Sequence, residues 1–216
     1  MQDQNLVIGR CLLVVLVCAG GTARAGNEAE AANGGADASA PYKRVVQRYK
    51  LPPVALVDQD GRIVPIAEVL PRDATIALNF IFTGCKTICP SMTRTQGALR
   101  KGMGGRAELV QAVSITIDPV NDTPERLRAY VTRAGAQAGW RFYTGEPADV
   151  EAVRSAFAVT SAIREAHPPI TLLRAAYSDD WVRLEGLFSA EQLRAEILRL
   201  KHVTHAALDR GEADSP

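Results

Sequence analysis

Two cysteines, Cys85 and Cys89, have the residue type and spacing best suited to chemistry, because a close thiol pair can exchange disulfides or bind a soft metal. They lie in the segment FIFTGCKTICP, residues 80–90, where an apolar run ends, Gly84 permits a sharp turn and Pro90 can start a helix. A helix N-terminus lowers the pKa of a nearby thiol, because the helix dipole favours the thiolate. The pattern predicts a redox-active or metal-binding pair, and a structural disulfide across a tight loop is the alternative.

The three histidines are candidates for a further ligand, because one imidazole would complete a soft-metal site built on two thiolates. His167 lies in the loop EAHPP before a predicted strand, and its position alone is that of an ordinary surface residue. His202 and His205 are spaced i, i+3 on the last predicted helix, where a solvated helix end explains them better than a metal does. With two cysteines left in the mature chain, a zinc site of three or four thiolates is excluded.

The N-terminal segment predicts export. Residues 11–19 form an unbroken apolar run that is too short to span a bilayer, which takes about 20 residues. Residues 23–25 read ARA, a cleavage pattern, so we expect a signal peptide at residues 1–25, which holds the other two cysteines, and a periplasmic mature protein. An uncleaved anchoring helix is the alternative. A lipoprotein attached through Cys18 is disfavoured, because the bulky Val17 precedes it.

Composition and charge are those of an ordinary globular domain. Hydrophobic residues make up 47% of the chain and charged residues 23%, and 25 basic residues balance 24 acidic ones. This balance argues against a nucleic-acid binder, which carries a basic excess, and against an acidic disordered protein. Removal of the signal would leave a net charge of zero, so partner recognition must rest on a local surface around Cys85, Cys89 and His167.

Hydrophobic patterning predicts the alternating strands and helices that would position these residues. Strands are predicted at residues 54–57, 62–64, 75–82, 109–117, 140–143, 170–173 and 181–184, and helices after Pro90 as far as residue 101, from 122, at 147–159 and from 189. This alternation indicates an α/β sandwich with a central mixed sheet. We expect a flexible leader at residues 26–50, one folded domain at residues 51–208 and a disordered tail at residues 209–216.

The cysteine segment resembles a signature of the SCO/SenC family of copper proteins. Residues 79–90, NFIFTGCKTICP, are similar to its first signature, and residues 114–125, SITIDPVNDTPE, resemble its second. The resemblance continues through residues 127–145 and covers the chain from Leu51 to the final helix. Both signatures together are far more specific than either alone. The resemblance implies a thioredoxin-like fold, with an N-terminal β-hairpin here, in an exported and often membrane-anchored protein.

The resemblance also implies a copper site. Family members bind copper through the two motif cysteines, which match Cys85 and Cys89, and through a distal histidine, which falls on His167 by its order along the chain. Many members have an aspartate before that histidine, whereas this chain has Ala166 before it and Pro168 after it. The bound ion would be Cu(I), with Cu(II) as the alternative.

Two aspartates, Asp118 and Asp122, match the second signature. We expect Asp122 to cap the helix that follows it. Asp118 is expected near the metal loop, where it would modulate the metal or a docking surface.

The resemblance implies two main functions. Members deliver copper to the binuclear copper centre of cytochrome c oxidase or reduce the cysteines of that centre, so the first hypothesis is a metallochaperone whose partner is the copper-accepting oxidase subunit or another copper protein. The alternative is a thiol–disulfide oxidoreductase in which Cys85 or Cys89 attacks a disulfide and the other resolves it. A module that senses copper or redox state is a third class. A peroxidase that uses Thr83 is less favoured, because no activating arginine pattern is recognisable in the sequence.

Overall fold

The structure, a computed structural model, describes residues 42–104, 109–136, 139–159 and 167–211. The predicted signal peptide at residues 1–25, the leader as far as residue 41 and residues 212–216 lie outside these ranges. The elements within them follow the predicted alternation. They are β1 (Lys43–Arg48), β2 (Ala55–Asp58), β3 (Ile63–Pro65), α1 (Ile66–Val69), β4 (Thr75–Ile81), α2 (Ile88–Met103), β5 (Val110–Thr116), α3 (Pro124–Ala134), β6 (Trp140–Thr144), α4 (Pro147–Ala156), β7 (Ile170–Arg174), β8 (Asp180–Glu185) and α5 (Ala190–Gly211).

The described strands form one mixed sheet in the order β1-β8-β7-β4-β5-β6-β2-β3. Strands β4, β5 and β6 run parallel, and the strands on both sides of them pair antiparallel. Every residue of β4 is buried, as expected for a central strand that is covered on both faces. Residues of β4 contribute to two core clusters: Ile76, Leu78 and Phe80 belong to the larger one, and Ala77 belongs to a second cluster with Leu193 of α5. The predicted thioredoxin-like architecture with a mixed central sheet is confirmed.

Local signals in the sequence hold in the structure. The predicted hairpin is β2–β3, and Gly61 in its turn has a φ of +85°, a conformation that glycine adopts readily. Helix α5 starts with the predicted capping box: the amide of Ser189 donates to the side chain of Gln192 at 2.8 Å, and the amide of Gln192 donates to the Ser189 hydroxyl at 3.2 Å. Helix α2 begins earlier than predicted, at Ile88, which puts Pro90 in its first turn, where a missing N–H is tolerated.

Two domain boundaries differ from the prediction. The assignment of residues 43–48 to a flexible leader is wrong, because they form edge strand β1 and pair antiparallel with all of β8. Helix α5 continues through residue 211, so the predicted tail does not start at residue 209. Across the described part of the chain, none of the helices combines the length and apolar character needed to cross a bilayer.

Candidate functional site

The cysteine pair lies where β4 ends and α2 begins. The amide of Cys85 donates to the carbonyl of Phe82 at 3.2 Å, which closes a turn directly after the strand. Cys89 is the second residue of α2, and its amide donates to Cys85 Sγ at 3.4 Å. Thr87 Oγ1 lies 3.7 Å from the same sulfur. The first turn of the helix therefore directs an N–H group at Cys85, which is the arrangement that the sequence predicts for a thiol at a helix start.

The pairing of β7 with β4 brings His167 to these thiols. The register places Thr171 opposite Asn79, and the strands run antiparallel, so residues before Thr171 extend past the end of β4 to the level of the cysteine loop. His167 is 3% exposed, and its Nε2 lies 3.7 Å from Cys89 Sγ. Its ring meets the edge of the Phe82 ring at a centroid distance of 6.1 Å. His167, which is 78 positions from Cys89 in the sequence, therefore lies beside the cysteine pair at the end of β4.

A backbone hydrogen bond fixes the tautomer of His167. Its Nδ1 lies 3.0 Å from the carbonyl oxygen of Pro168, and because a carbonyl can only accept, Nδ1 carries the proton and donates. Burial lowers the pKa of His167, and the nearby Arg154 lowers it further against the opposing effect of the Pro168 carbonyl, so the ring is neutral at pH 7. The lone pair of Nε2 is therefore directed at Cys89.

The two thiols differ in how readily they ionise. Burial raises the pKa of Cys85, but hydrogen bonds from Cys89 and Thr87 together outweigh it and hold the pKa below its usual value. Burial, followed by the hydrogen bond to Cys85, raises the pKa of Cys89 far above its usual value. Cys85 is therefore the thiol that ionises first, and Cys89 keeps its proton while no metal is bound.

No disulfide joins the two cysteines in the structure. Cys85 and Cys89 are both free thiols. Within the described ranges, no group of three or more His, Cys, Asp or Glu side chains is already arranged to hold a metal ion. Among the three candidate donors, Cys89 contacts both Cys85, through its amide, and His167, through its sulfur.

Asp122 has a role that differs from the predicted one. The cap of α3 is Thr123, whose hydroxyl accepts from the amide of Arg126, so the expectation that Asp122 caps this helix is wrong. Asp122 is 1% exposed and accepts three hydrogen bonds, from the amide of Thr83 at 3.0 Å, from the Thr83 hydroxyl and from the Thr116 hydroxyl. It fastens the residue two positions before Cys85 to the end of β5.

Asp118 belongs to the segment that connects β5 to α3, and its side-chain contact with Asn121 is exposed. Its carboxylate accepts from the side-chain amide of Asn121 at 2.9 and 3.0 Å, and its carbonyl accepts from the amide of Asp122 at 2.8 Å. Asp122 therefore contacts the cysteine loop directly, through Thr83. The second signature contains both residues, but nothing in its spacing distinguishes their roles.

An open cleft of about 390 Å³ adjoins the site on the Cys85 side. Helices α2 and α3 form its walls, and its lining includes Thr83, Cys85, Arg94, Tyr130 and Arg133. Neither Cys89 nor His167 lines it. Cys85 is therefore the group through which a molecule in the cleft would reach the site.

Comparison with known proteins identifies relatives of this chain. A protein-family model described as SCO1/SenC matches residues 45–172. The SCO1 protein homolog of Bacillus subtilis (strain 168) is 35% identical over 98 residues, which cover 45% of this chain and 50% of that protein. The chain thus spans about half the length of this curated relative.

Solved structures share the fold. ScoI of Bradyrhizobium japonicum, solved with copper bound, has 22% sequence identity and a TM-score of 0.55, and the match covers 69% of this chain and 98% of that one. BsSco, described as a member of the Sco family of cytochrome c oxidase assembly proteins with a disulfide switch, has 22% identity and a TM-score of 0.60, with 72% and 95% covered. At these identities the likeness shows a common fold.

Proposed function

Since the chain belongs to the SCO1/SenC family, we propose that it is an exported copper chaperone in which Cys85, Cys89 and His167 hold the ion. Copper is the cargo in this proposal, and the acceptor is the binuclear copper centre of cytochrome c oxidase or another copper protein. Two relatives support it: ScoI of Bradyrhizobium japonicum was solved with copper bound, and BsSco is described as belonging to a family of oxidase assembly proteins.

The observation that carries the proposal is the 3.7 Å separation between Cys89 Sγ and His167 Nε2. With the bond lengths that zinc forms in proteins, about 2.3 Å to sulfur and about 2.0 Å to nitrogen, and an angle of about 120° between the bonds, the sulfur and the nitrogen are about 3.7 Å apart. Two thiols and one imidazole are also the soft donor set that Cu(I) prefers. The donors therefore fit copper in type, and the Cys89–His167 pair fits it in spacing.

The surroundings of each donor suit uptake and release. The Pro168 carbonyl holds His167 with Nε2 free to donate its lone pair, as outer-shell hydrogen bonds do for metal-ligating histidines. Copper takes the place of thiol protons, so uptake releases protons and weakens at low pH. Because Cys85 alone of the three lines the open cleft, an acceptor thiol would enter on that side and replace Cys85 first.

Copper titration of variants tests this proposal. The full chain, reduced and carrying Cys11→Ser and Cys18→Ser so that two thiols remain, should bind one Cu(I) in competition with a Cu(I) chelator. Cys85→Ser, Cys89→Ser and His167→Ala should each weaken binding by more than about 100-fold, since even outer-shell residues account for about 10- to 100-fold. The His202→Ala/His205→Ala variant is the matched control and should bind like the parent. Unchanged stoichiometry and affinity in both cysteine variants would refute the proposal.

The difference between the thiols supports a second candidate, a thiol–disulfide oxidoreductase. Cys85 has the lowered pKa and lines the cleft, whereas Cys89 is fully buried with a raised pKa. Cys85 would attack a partner disulfide and Cys89 would resolve the mixed disulfide. Cys89→Ser should therefore accumulate a mixed disulfide that mass spectrometry locates at Cys85, and Cys85→Ser should accumulate none. Equal trapping at either residue would contradict this order of attack, and a reduction potential too low for the compartment would favour a structural disulfide.

A further inference from the structure

The cleft beside Cys85 carries a concentration of positive charge that the metal site does not use. Arg94 extends into it from α2 and Arg133 from α3, and none of its described lining residues is acidic. The chain as a whole has a formal net charge of only +1. The charge is therefore local to this cleft and does not reflect a generally basic protein.

The two arginines are available to a ligand. In the part of the chain that the structure describes, the side chains of Arg94 and Arg133 form no ion pair, whereas Arg128 on the same α3 helix pairs with Glu125. The guanidinium of Arg133 lies over the ring of Tyr130, 6.0 Å from its centroid, and the Tyr130 hydroxyl bonds to Thr93 Oγ1 at 2.7 Å. The cation–π contact with the buried Tyr130 ring therefore restricts the Arg133 side chain, which reduces the conformational entropy that Arg133 loses when it binds an anion.

We propose that this cleft binds a small disulfide that carries carboxylates and presents one of its sulfurs to Cys85. Guanidinium groups pair with carboxylates in a bidentate geometry that an ammonium cannot match. The volume of about 390 Å³ lies within the range of small-ligand sites, roughly 300–1,000 Å³. The inference rests on the thiol reactivity proposed above for Cys85, and it adds the class of molecule with which Cys85 reacts.

The reaction balances without a further reactant. The Cys85 thiolate attacks one sulfur of the bound disulfide, the S–S bond of the ligand breaks, and one half leaves as a thiolate. Cys85 and the remaining half are joined in a mixed disulfide, so the ligand is the oxidant and Cys85 is the group oxidised. The arginines do not take part in this exchange. They hold the carboxylates, and they are positioning residues.

Reaction rates with disulfides of different charge test the inference. The reduced full chain with Cys11→Ser and Cys18→Ser is mixed at fixed pH with the anionic 5,5′-dithiobis(2-nitrobenzoate), the neutral 2,2′-dithiodipyridine and the cationic cystamine, and the leaving thiolate is followed. For each protein, the rate with the anionic reagent is divided by the rate with the neutral one. This ratio should be about fivefold lower in the Arg94→Gln/Arg133→Gln variant than in the parent. This ratio cancels any change in the thiolate fraction of Cys85. The difference should shrink at about 1 M salt, where exposed charges are screened over about 3 Å.

The matched control removes two charges elsewhere. Lys101→Gln/Arg194→Gln changes two exposed cations that do not line the cleft, and it should leave the ratio of rates unchanged. An equal loss in this control, or no preference for the anionic reagent in the parent, would overturn the inference while leaving the thiol chemistry intact.

Binding without reaction separates the inference from the proposed function. S-methylglutathione carries carboxylates but has no free thiol, so its affinity does not depend on whether Cys85 reacts. Calorimetric titration should give a dissociation constant about fivefold higher for Arg94→Gln/Arg133→Gln than for the parent. If Cys85 is inert to all three disulfides and this shift is still observed, the thiol function fails and the cleft assignment stands. The same dissociation constant in both proteins would overturn the assignment.

Discussion

The Asp122→Ala substitution tests whether one buried carboxylate holds the cysteine loop in place. Asp122 accepts from the amide of Thr83 at 3.0 Å and from the hydroxyls of Thr83 and Thr116, and it is 1% exposed. Thr83 is two residues before Cys85. Removal of the carboxylate therefore leaves three donors without their acceptor and frees the loop that carries Cys85 from the end of β5.

The expected cost follows from these contacts. A hydrogen bond to a charged group contributes roughly 1.5–3 kcal/mol, and a buried donor left unsatisfied costs about 1–3 kcal/mol. Thr83 is half-buried, so water can replace part of what its amide and hydroxyl lose, whereas Thr116 is fully buried. We therefore expect Asp122→Ala to lower the free energy of unfolding by about 3 kcal/mol. Asp122→Asn keeps one oxygen acceptor in the same shape and should cost about half as much.

Urea unfolding of the full chain in reducing buffer measures this difference, provided that the slope of the transition is the same in all variants. Asn121→Ala is the control from the same connection, and since the contact of its side chain with Asp118 is exposed, the expected cost is below about 1 kcal/mol. The freed loop should also let Cys85 react faster with a neutral disulfide. A loss of stability in Asp122→Ala no greater than that in Asn121→Ala would refute the idea that Asp122 fastens this loop.

Two further predictions concern the histidine and the core. Because burial places the pKa of His167 in the folded protein below its value of 6.5 in the unfolded chain, the unfolded chain takes up this proton first as pH falls. The contribution of the neutral ring to the free energy of unfolding is therefore fully present above about pH 6.5 and is lost as pH falls toward the folded pKa. The free energy of unfolding, measured across this range with a chelator present, should fall less steeply with decreasing pH in His167→Gln than in the parent. Phe157 is 0% exposed and packs on Tyr49, Phe80 and Trp181. Phe157→Ala should therefore lower the free energy of unfolding by about 3–5 kcal/mol. The control Val120→Ala, at a position that is 75% exposed, should change it by less than about 0.5 kcal/mol.

Local patterns were sufficient to predict most elements and two of the three candidate site residues. The apolar segment that forms β4 is buried on both faces, and Ser189 with Gln192 forms the predicted capping box, because in both cases the residues that decide the structure are neighbours in sequence. The cysteines were predictable for the same reason. Strand end, turn and helix start follow one another within the dozen residues that carry Cys85 and Cys89, so their position at a helix N-terminus needs no long-range contact.

Long-range contacts account for the predictions that failed. Strand β1 has no alternation of apolar and polar residues and is mostly exposed; it is held by its pairing with β8 and by hydrogen bonds from Tyr42 and Arg44 to the buried Glu196, 152 or more residues away. At the start of α3, both Asp122 and Thr123 can cap a helix. Thr123 takes the cap because Pro124 occupies the first helical position, and the side chain of Asp122 is left to reach Thr83, a partner that no local pattern reveals.

The same long-range pairing bears on both proposed functions. The β4–β7 register buries His167 against Cys89 and leaves Cys85 as the group that lines the open cleft. Burial keeps His167 neutral, so its Nε2 lone pair is free to bind a metal. Burial also keeps Cys89 protonated, so Cys89 does not attack a disulfide and would bind a metal only by releasing its proton. Cys85, with its lowered pKa, is the first to meet an incoming thiol or disulfide. Copper release and disulfide exchange would therefore both begin at Cys85, and they would differ in whether His167 takes part.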